Sequence, residues 1–292
     1  MARTIDFVKM HGAGNDFVFI GDMEDHLDLT PTEVARICDR HFGIGADGVV
    51  IVKPPRMLGN AGFMDYRNAD GTLAQMCGNG VRCTAKYLVD NGIVPPGTPI
   101  VNVETRAGVK AIRYTVDDAG KLATATVVMG APVLNTQNVP TRLKANGMTA
   151  DGQAFVRDAR IESPYGAYAF TCISMGNPHA VTFVDDCDDV DIERVGAYFE
   201  SCDAFPEKAN IEFATVRPDG IHMRVYERGC GETLACGTGA CATNVAAYLT
   251  GRTSAENDVV LRGGTLHIAY EAGKSVIMTG PAAESFRGVI SL

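Results

Sequence analysis

The chain has 292 residues, of which 46% are hydrophobic and 21% charged, so it can form one large or two ordinary domains with hydrophobic cores. Its formal net charge of −9 argues against binding to the phosphate backbone of nucleic acids, and no basic patch interleaved with aromatic residues offsets it. The charged start lacks the apolar core of a secretory signal and no apolar run approaches the roughly 18 residues of a membrane span, so we expect a cytoplasmic protein with no membrane partner.

The first predicted element is a helix that starts at Thr30. Thr30 is a typical N-cap residue, Pro31 suits the first helical position, and Glu33 can close a capping box. The apolar residues that recur at helical spacing along it are Val34, Ile37 and Cys38. The pattern predicts that this helix ends near Gly43.

Strands and a second helix follow in the first half. Runs rich in β-branched and aromatic residues predict strands at 49–53 and 63–67. A helix is predicted after Cys77, ending at the C-terminal signal Asn91-Gly92, with an apolar face formed by Val81, Ala85 and Leu88. Further alternating patterns predict strands within 100–109, 110–116 and 122–133.

The second half repeats this order of elements. Its predicted strands lie within 167–176, 180–184, 209–216 and 221–228. Helices are predicted over 190–200 and after Cys236, where Val245 and Leu249 lie on the apolar face.

Four landmarks recur at a nearly constant offset. Asn15 and Asn177 lie 162 residues apart, as do Gly48 and Asn210, while Tyr66 and Tyr226 are 160 apart and Cys77 and Cys236 are 159 apart. A near-constant offset indicates an internal duplication, so we expect two domains of similar α+β design. If the domains face each other across a pseudo-twofold axis, each presents a thiol at a helix start towards one cleft.

The nine cysteines do not form a regular pattern. Their odd number makes a poor disulfide framework for a cytosolic chain, and their spacing does not match the paired knuckles of structural zinc sites. We therefore expect no metal site. Most free cysteines are small buried hydrophobic residues, which is the expectation for most of the nine.

Two of the cysteines precede a Gly-x-Gly sequence at a predicted helix start. A helix N-terminus lowers the pKa of a thiol and binds carboxylates through its unpaired N–H groups. Inversion of an amino-acid α-carbon needs a base on one face and an acid on the other, so one thiol on each face would suffice. The alternative is that Cys77 and Cys236 are ordinary cysteines at helix starts.

A glycine pattern at 43–48 fits G-x-G-x-x-G, the fingerprint of dinucleotide-binding folds. Such a fingerprint should follow a strand and open a helix. Here a predicted helix precedes it and a predicted strand follows, which argues against a nucleotide site.

Five segments together resemble the diaminopimelate epimerase family: "MHGAGNDFV", "NADGTLAQMCGNGVRC", "MGNPHAV", "ANIEFATV" and "YERGCGETLACGTGACA". The resemblance covers nearly the whole chain. It implies two pseudo-symmetric α+β domains, each a mostly antiparallel sheet wrapped around a central helix, with the active site in the interdomain cleft. Since the last strand of the family returns to the first domain, the expected domains are 1–121 plus 282–292, carrying Cys77, and 122–281, carrying Cys236.

The resemblance also implies the activity, which is a cofactor-independent epimerisation between LL- and meso-2,6-diaminoheptanedioate in lysine and cell-wall precursor synthesis, by a homodimer. Cys236 matches the thiolate base that acts on the LL isomer, and Cys77 matches the thiol acid. The positions that match substrate contacts are Asn15, Asn68, Asn177, Asn210, Glu227 and Arg228, with helix-terminal donors at Gly78, Asn79, Gly237 and Thr238. His179 and Glu227 match the groups that tune the two thiols.

One position departs from the family pattern, and several alternatives stay open. Gly48 stands where some members carry a glutamine that contacts substrate, so only backbone contact is left there. Proline and hydroxyproline racemases share the two-thiol logic but carry a histidine where this chain has Asn79. Taken singly, each asparagine beside a glycine fits a turn, His179 fits a strand cap, and Glu227-Arg228 fits a solvated pair. A thiol-based metal or redox module is the alternative from another functional class.

Overall fold

The structure is a computed structural model and describes residues 3–292. Met1 and Ala2, which the predicted first domain includes, lie outside the described residues. The chain divides into two compact units: unit 1 comprises residues up to Val128 together with Thr279–Leu292, and unit 2 comprises Met129–Met278. The chain changes units seven residues after the predicted boundary at 121/122 and three residues before the predicted boundary at 281/282, in both cases inside a continuous strand.

The strands in chain order are β1 (Thr4–Gly12), β2 (Asn15–Gly21), β3 (Gly48–Lys53), β4 (Gly62–Asn68), β5 (Ile100–Thr105), β6 (Gly108–Val116), β7 (Leu122–Gly130), β8 (Gly147–Met148), β9 (Ala154–Phe155), β10 (Ala159–Ser163), β11 (Gly166–Ser174), β12 (Pro178–Phe183), β13 (Asn210–Arg217), β14 (Gly220–Glu227), β15 (Gly231–Thr233), β16 (Glu256–Leu261), β17 (Gly264–Ala269), β18 (Val276–Pro281) and β19 (Ala283–Ser291). The helices are α1 (Pro31–Cys38), α2 (Gly78–Asp90), α3 (Ile192–Glu200) and α4 (Gly237–Leu249), with a short 3₁₀ helix at Cys187–Asp189.

The sheet of unit 1 runs in the order β19-β1-β2-β3-β4-β5-β6-β7. Its pairs are antiparallel except for β2–β3 and β4–β5, which are parallel. The C-terminal strand β19 therefore completes unit 1, beside the N-terminal strand β1.

Unit 2 repeats this sheet. Its strands run in the order β10-β11-β12-β13-β14-β16-β17, with parallel pairs only at β12–β13 and β14–β16 among these strands. The sequence of antiparallel and parallel pairs matches that of unit 1 from β19 to β6. This match confirms the predicted duplication and the α+β fold with two similar, mostly antiparallel halves.

Each unit encloses one helix of 13 residues. α2 is buried along most of its length, and α4 is buried at nearly every position from Gly237 to Ala247. The second helix of each unit covers a separate cluster: α1 packs Val34 and Ile37 beside Ile51, and α3 packs Phe199 beside Phe170 and Phe213. None of the helices described between residues 3 and 292 is long and apolar enough to cross a membrane.

The predicted capping box of α1 is confirmed, but the predicted end of the helix is wrong. The Thr30 hydroxyl accepts the N–H of Glu33, and the Glu33 carboxylate accepts the N–H of Thr30 at 2.7 Å. The helix ends at Cys38 instead of near Gly43 because Asp39 takes an extended conformation. The Asp39 carboxylate accepts the N–H groups of His41 and Phe42. The chain therefore forms an Asx turn here instead of continuing the helix.

Candidate active site

Both cysteines that precede Gly-x-Gly are the N-cap residues of the enclosed helices. Cys77 caps α2, and its Sγ accepts the N–H of Gly80 at 3.4 Å. Cys236 caps α4, and its Sγ accepts the N–H of Gly239 at 3.4 Å. Each thiol therefore lies at a helix N-terminus with backbone N–H groups beside it, as the sequence predicted.

The second glycine of each Gly-x-Gly is closely packed. A Cβ atom at Gly80 would lie 2.8 Å from Cε of Met64, and one at Gly239 would lie 2.8 Å from Oε1 of Glu212. The end of the flexible Met64 side chain can move aside, whereas Glu212 Oε1 is held by His179 at 2.6 Å. A larger residue would therefore be costlier at Gly239 than at Gly80.

Around Cys77, the side chain of Asn15 is fixed by polar partners. The Cys77 thiol donates to Asn15 Oδ1 at 3.6 Å, and the Asn79 amide donates to the same oxygen at 3.2 Å. The Asn15 amide nitrogen in turn donates to Asp47 Oδ2 at 2.6 Å. Since its NH₂ faces a carboxylate, the Asn15 carbonyl must point to the thiol.

A buried arginine holds the start of α2 through hydrogen bonds. Arg82 is 0% exposed and donates to the carbonyl of Gly78 at 3.2 Å, to Oδ1 of Asn79 at 2.8 Å and to the carbonyl of Pro281 at 3.3 Å. It therefore connects both residues that follow Cys77 to the end of β18.

Around Cys236, the neighbouring groups are ionisable. Thr238 Oγ1 lies 3.4 Å from the Cys236 sulfur, and the Glu227 carboxylate forms a hydrogen bond with the same thiol and accepts the Thr233 hydroxyl. His179 Nδ1 lies 2.6 Å from Oε1 of Glu212, and both side chains are fully buried. This environment differs from the neutral amides beside Cys77.

Burial has the largest effect on the pKa of the Cys236 thiol. It raises the pKa of the Cys236 thiol well above its ordinary value, and the carboxylates of Glu227 and Glu212 raise it further. The hydrogen bonds from Thr238 and Gly239 act in the opposite direction. The predicted lowering of a thiol pKa at the helix start is therefore outweighed at Cys236. Burial also raises the pKa of Glu227, against the lowering effect of its bonds with Thr233 and Cys236.

The other predicted binding residues have clear places in their units. Asn177 Oδ1 lies 3.1 Å from Nε2 of His179. Asn210 is only 3% exposed; its amide donates to the carbonyl of Pro178 at 2.8 Å and its Oδ1 accepts the N–H of Arg228 at 3.0 Å. Asn210 thus braces the strand start beside His179 and the end of β14.

Two further predicted residues are less enclosed. Asn68, the last residue of β4, donates to Thr72 Oγ1 at 3.0 Å. The Arg228 side chain is exposed and donates to the carbonyl of Glu207 at 3.2 Å. Both side chains can therefore reach a ligand without first leaving the core.

The departure at Gly48 has a structural cause. Gly48 is buried at the start of β3, and a Cβ atom there would lie 2.6 Å from Cε2 of Tyr66 and 2.6 Å from the carbonyl of Arg67. The Tyr66 ring thus lies where a longer side chain would begin. The 43–48 segment leads into β3, which begins at Gly48, and a strand rather than a helix therefore follows it, as the sequence pattern predicted.

Sequence reasoning missed three residues of these groups. Glu212 and Asp47 hold His179 and Asn15, and Arg82 holds Asn79. A signal was available for Glu212, since a carboxylate inside the apolar run 209–216 is unusual for a buried strand.

The residues that could bind a metal ion form a group that does not include the two helix-capping thiols. Within residues 3–292, Asp186, Cys187 and Asp188 form the one group of three whose ligand atoms lie within 4.8 Å of one another. Arg217 already pairs with Asp186 at 2.7 Å and with Asp188 at 3.2 Å. This group contains neither Cys77 nor Cys236.

The chain is similar to known proteins over nearly its whole length. The family model described as diaminopimelate epimerase matches residues 7–135 and 171–284. Diaminopimelate epimerase of Leptospira biflexa is 42% identical and that of Desulfovibrio desulfuricans is 45% identical, and each alignment covers 99% of both chains.

A solved structure supports the fold. The PhzF-family phenazine biosynthesis protein of Bacillus anthracis has a TM-score of 0.69 at 17% identity, with 99% of both chains covered. An identity this low shows the fold alone, whereas the family model and the relatives above 40% identity show descent. The chain therefore belongs to the diaminopimelate epimerase family of isomerases.

Proposed function

We propose that this protein interconverts LL- and meso-2,6-diaminoheptanedioate by a two-thiol 1,1-proton transfer. The observation that carries the proposal is the repeated thiol cap: Cys77 and Cys236 each cap an enclosed helix in the same geometry, one in each half of a duplicated fold. Two equivalent thiols are what inversion of a carbon atom requires, because one face must lose a proton while the other gains one.

In the forward direction, the Cys236 thiolate removes the α-proton of the LL isomer and the Cys77 thiol delivers a proton to the opposite face. The roles exchange in the reverse direction. The charge that develops at the α-carbon and its carboxylate is stabilised by the N–H groups at the two helix starts, at Gly78, Asn79, Gly237 and Thr238.

Cys236 must lose its proton before it can act as a base, and its carboxylate neighbours oppose this. The ammonium group of the substrate supplies the compensating positive charge when it binds beside Glu227. On this proposal the thiol proton passes to solvent as substrate binds, and near neutral pH the thiolate forms only with substrate in place, which limits side reactions of a reactive sulfur. Glu227 and His179 thus tune the thiol.

The substrate carries an amino and a carboxylate group at each end, so its distal end needs its own partners. We assign the binding of these groups to the four asparagines at 15, 68, 177 and 210, to Glu227 and to Arg228. We further propose that the enzyme uses no metal or pyridoxal cofactor, and that it acts as a cytoplasmic homodimer in lysine and peptidoglycan precursor synthesis.

The direct test is conversion of the substrate. Reduced protein, after exhaustive chelation and dialysis, is expected to convert LL-diaminopimelate to the meso isomer, as followed by NMR, and to show no pyridoxal absorbance. Trans-4-hydroxy-L-proline and L-proline serve as control substrates and should not be inverted. Activity that requires added metal, or that appears only with a proline substrate, would contradict the proposal.

Arg228 provides a test of the distal binding site. Replacing Arg228 with alanine removes a charge-assisted hydrogen bond to substrate, so kcat/KM for diaminopimelate should fall by the equivalent of about 1.5 to 3 kcal/mol. Arg160 is an exposed arginine of the same unit that pairs with Glu162, and Arg160→Ala is the matched control. An unchanged kcat/KM in Arg228→Ala would remove this residue from the site.

A further inference from the structure

Strand β13 carries a carboxylate on its buried face. Glu212 is 0% exposed, and its Oε1 accepts from Nδ1 of His179 at 2.6 Å. Its second oxygen, Oε2, is buried and has no hydrogen-bond partner among the residues that the structure describes. A buried carboxylate with an unsatisfied oxygen is costly, so folding stability does not explain its presence.

The duplication provides an internal comparison. The positions 162 residues before His179 and Glu212 are Phe17 and Val50, which are both fully buried. The strand pairing is the same in both units, since Phe17 is opposite Gly48 as His179 is opposite Asn210. Unit 1 therefore fills with apolar side chains the place where unit 2 holds an ionisable pair, and the fold itself does not require the pair.

The pair lies next to the thiol of unit 2. A Cβ atom at Gly239 would be 2.8 Å from Oε1 of Glu212 and 3.2 Å from Cβ of Cys236, so the carboxylate and the cysteine flank the same glycine. Cys236 is only 5% exposed, and charges interact strongly in such a poorly solvated place.

We propose that Glu212 is a positioning residue, which holds the His179 imidazole with its proton on Nδ1 and places a fixed negative charge behind the Cys236 thiol. The purpose of this arrangement rests on the proposed function: it makes the two thiols unequal before substrate binds. Cys77, whose sulfur lies against the Asn15 amide, has no such charge from its own counterpart positions, Phe17 and Val50.

The groups that face Cys236 come from three elements. Glu212 lies on β13 and Glu227 on β14, while Thr238 and the N–H of Gly239 belong to α4. His179, on β12, contacts Glu212 through Nδ1. Burial raises the pKa of the Cys236 thiol most, and the carboxylates of Glu227 and then Glu212 raise it further.

The test is a titration of single thiols without substrate. Protein labelled with ¹³C at cysteine Cβ reports the ionisation of each thiol by NMR, and Cys236→Ser assigns the Cys236 signal. In Glu212→Gln the Cys236 midpoint should move to lower pH by about one unit, because a neighbouring negative charge is lost, while the Cys77 midpoint stays in place.

A matched control separates this effect from the loss of any buried carboxylate. Glu104 of unit 1 is also buried and accepts from Asn60 and from the N–H groups of Arg56 and Met57. Glu104→Gln should leave the Cys236 midpoint unchanged. An equal shift in Glu104→Gln, or no shift in folded Glu212→Gln, would overturn the inference.

A second variant keeps the test decisive if Glu212→Gln does not fold. The double variant His179→Phe/Glu212→Val gives unit 2 the side chains that unit 1 uses at these positions, and it should fold and also lower the Cys236 midpoint. An unshifted midpoint there overturns the inference as well. Since no substrate is present, these outcomes are independent of the epimerase assay, whose failure would refute the proposed function alone.

Discussion

Replacing Cys77 or Cys236 with alanine is expected to abolish epimerisation, because each variant lacks either the proton donor or the acceptor for one face of the carbon. General acid–base groups contribute about 10² to 10⁴ in rate, so each single variant should lose at least that factor in kcat. In heavy water, the first meso product of the unaltered protein should carry deuterium at the inverted carbon, while recovered LL substrate stays largely unlabelled.

The controls for this experiment lie on the same two helices. Cys83 and Cys241 are fully buried further along α2 and α4, away from the N-terminal N–H groups, and their alanine variants should keep activity. Product that retains its original proton, or a Cys77→Ala protein with nearly normal turnover, would show that one group serves both faces.

The second large effect concerns stability. Arg82→Met is expected to lower the free energy of unfolding by about 3 kcal/mol or more, because hydrogen bonds from the buried guanidinium to Gly78, Asn79 and Pro281 are lost and their acceptors are left without this donor. The chain contains no tryptophan, so urea unfolding is best followed by far-UV circular dichroism. In the same variant, the hydrogen bond by which Cys77 caps α2 should also weaken.

Arg113 of β6 is exposed and serves as the matched control. Arg113→Met should change the free energy of unfolding by less than about 0.5 kcal/mol, as expected for a surface substitution. If the two methionine variants unfold at the same urea concentration, Arg82 does not support the start of α2.

The sequence was most informative where a local rule determines the backbone. The Gly-x-Gly segments after Cys77 and Cys236 marked two helix starts, which depend on residues close in sequence because capping and helix spacing are local. The same is true of the capping box at Thr30. The nearly constant offset between matching landmarks indicated the duplication without any knowledge of tertiary contacts.

Features that depend on tertiary contacts were not predicted. Strand β16 begins with Glu256, Asn257 and Asp258, residues that are depleted in strands, and it forms because β14 and β17 pair with it. The partners of the polar groups were hidden for the same reason: Glu212 and His179 are 33 residues apart, and Asn15 and Asp47 are 32 apart. Only the fold brings these side chains together.

The position of β19 has a consequence for the order of folding during synthesis. Unit 2 is continuous from Met129 to Met278, whereas β1 pairs with β19, which is synthesised after the whole of unit 2. Phe7 of β1 packs edge-on against Phe286 at 5.9 Å, so its partner is absent until β19 has been synthesised. A nascent chain can thus complete the second half before the first, and Cys77, which is translated long before Cys236, belongs to the half that is completed later.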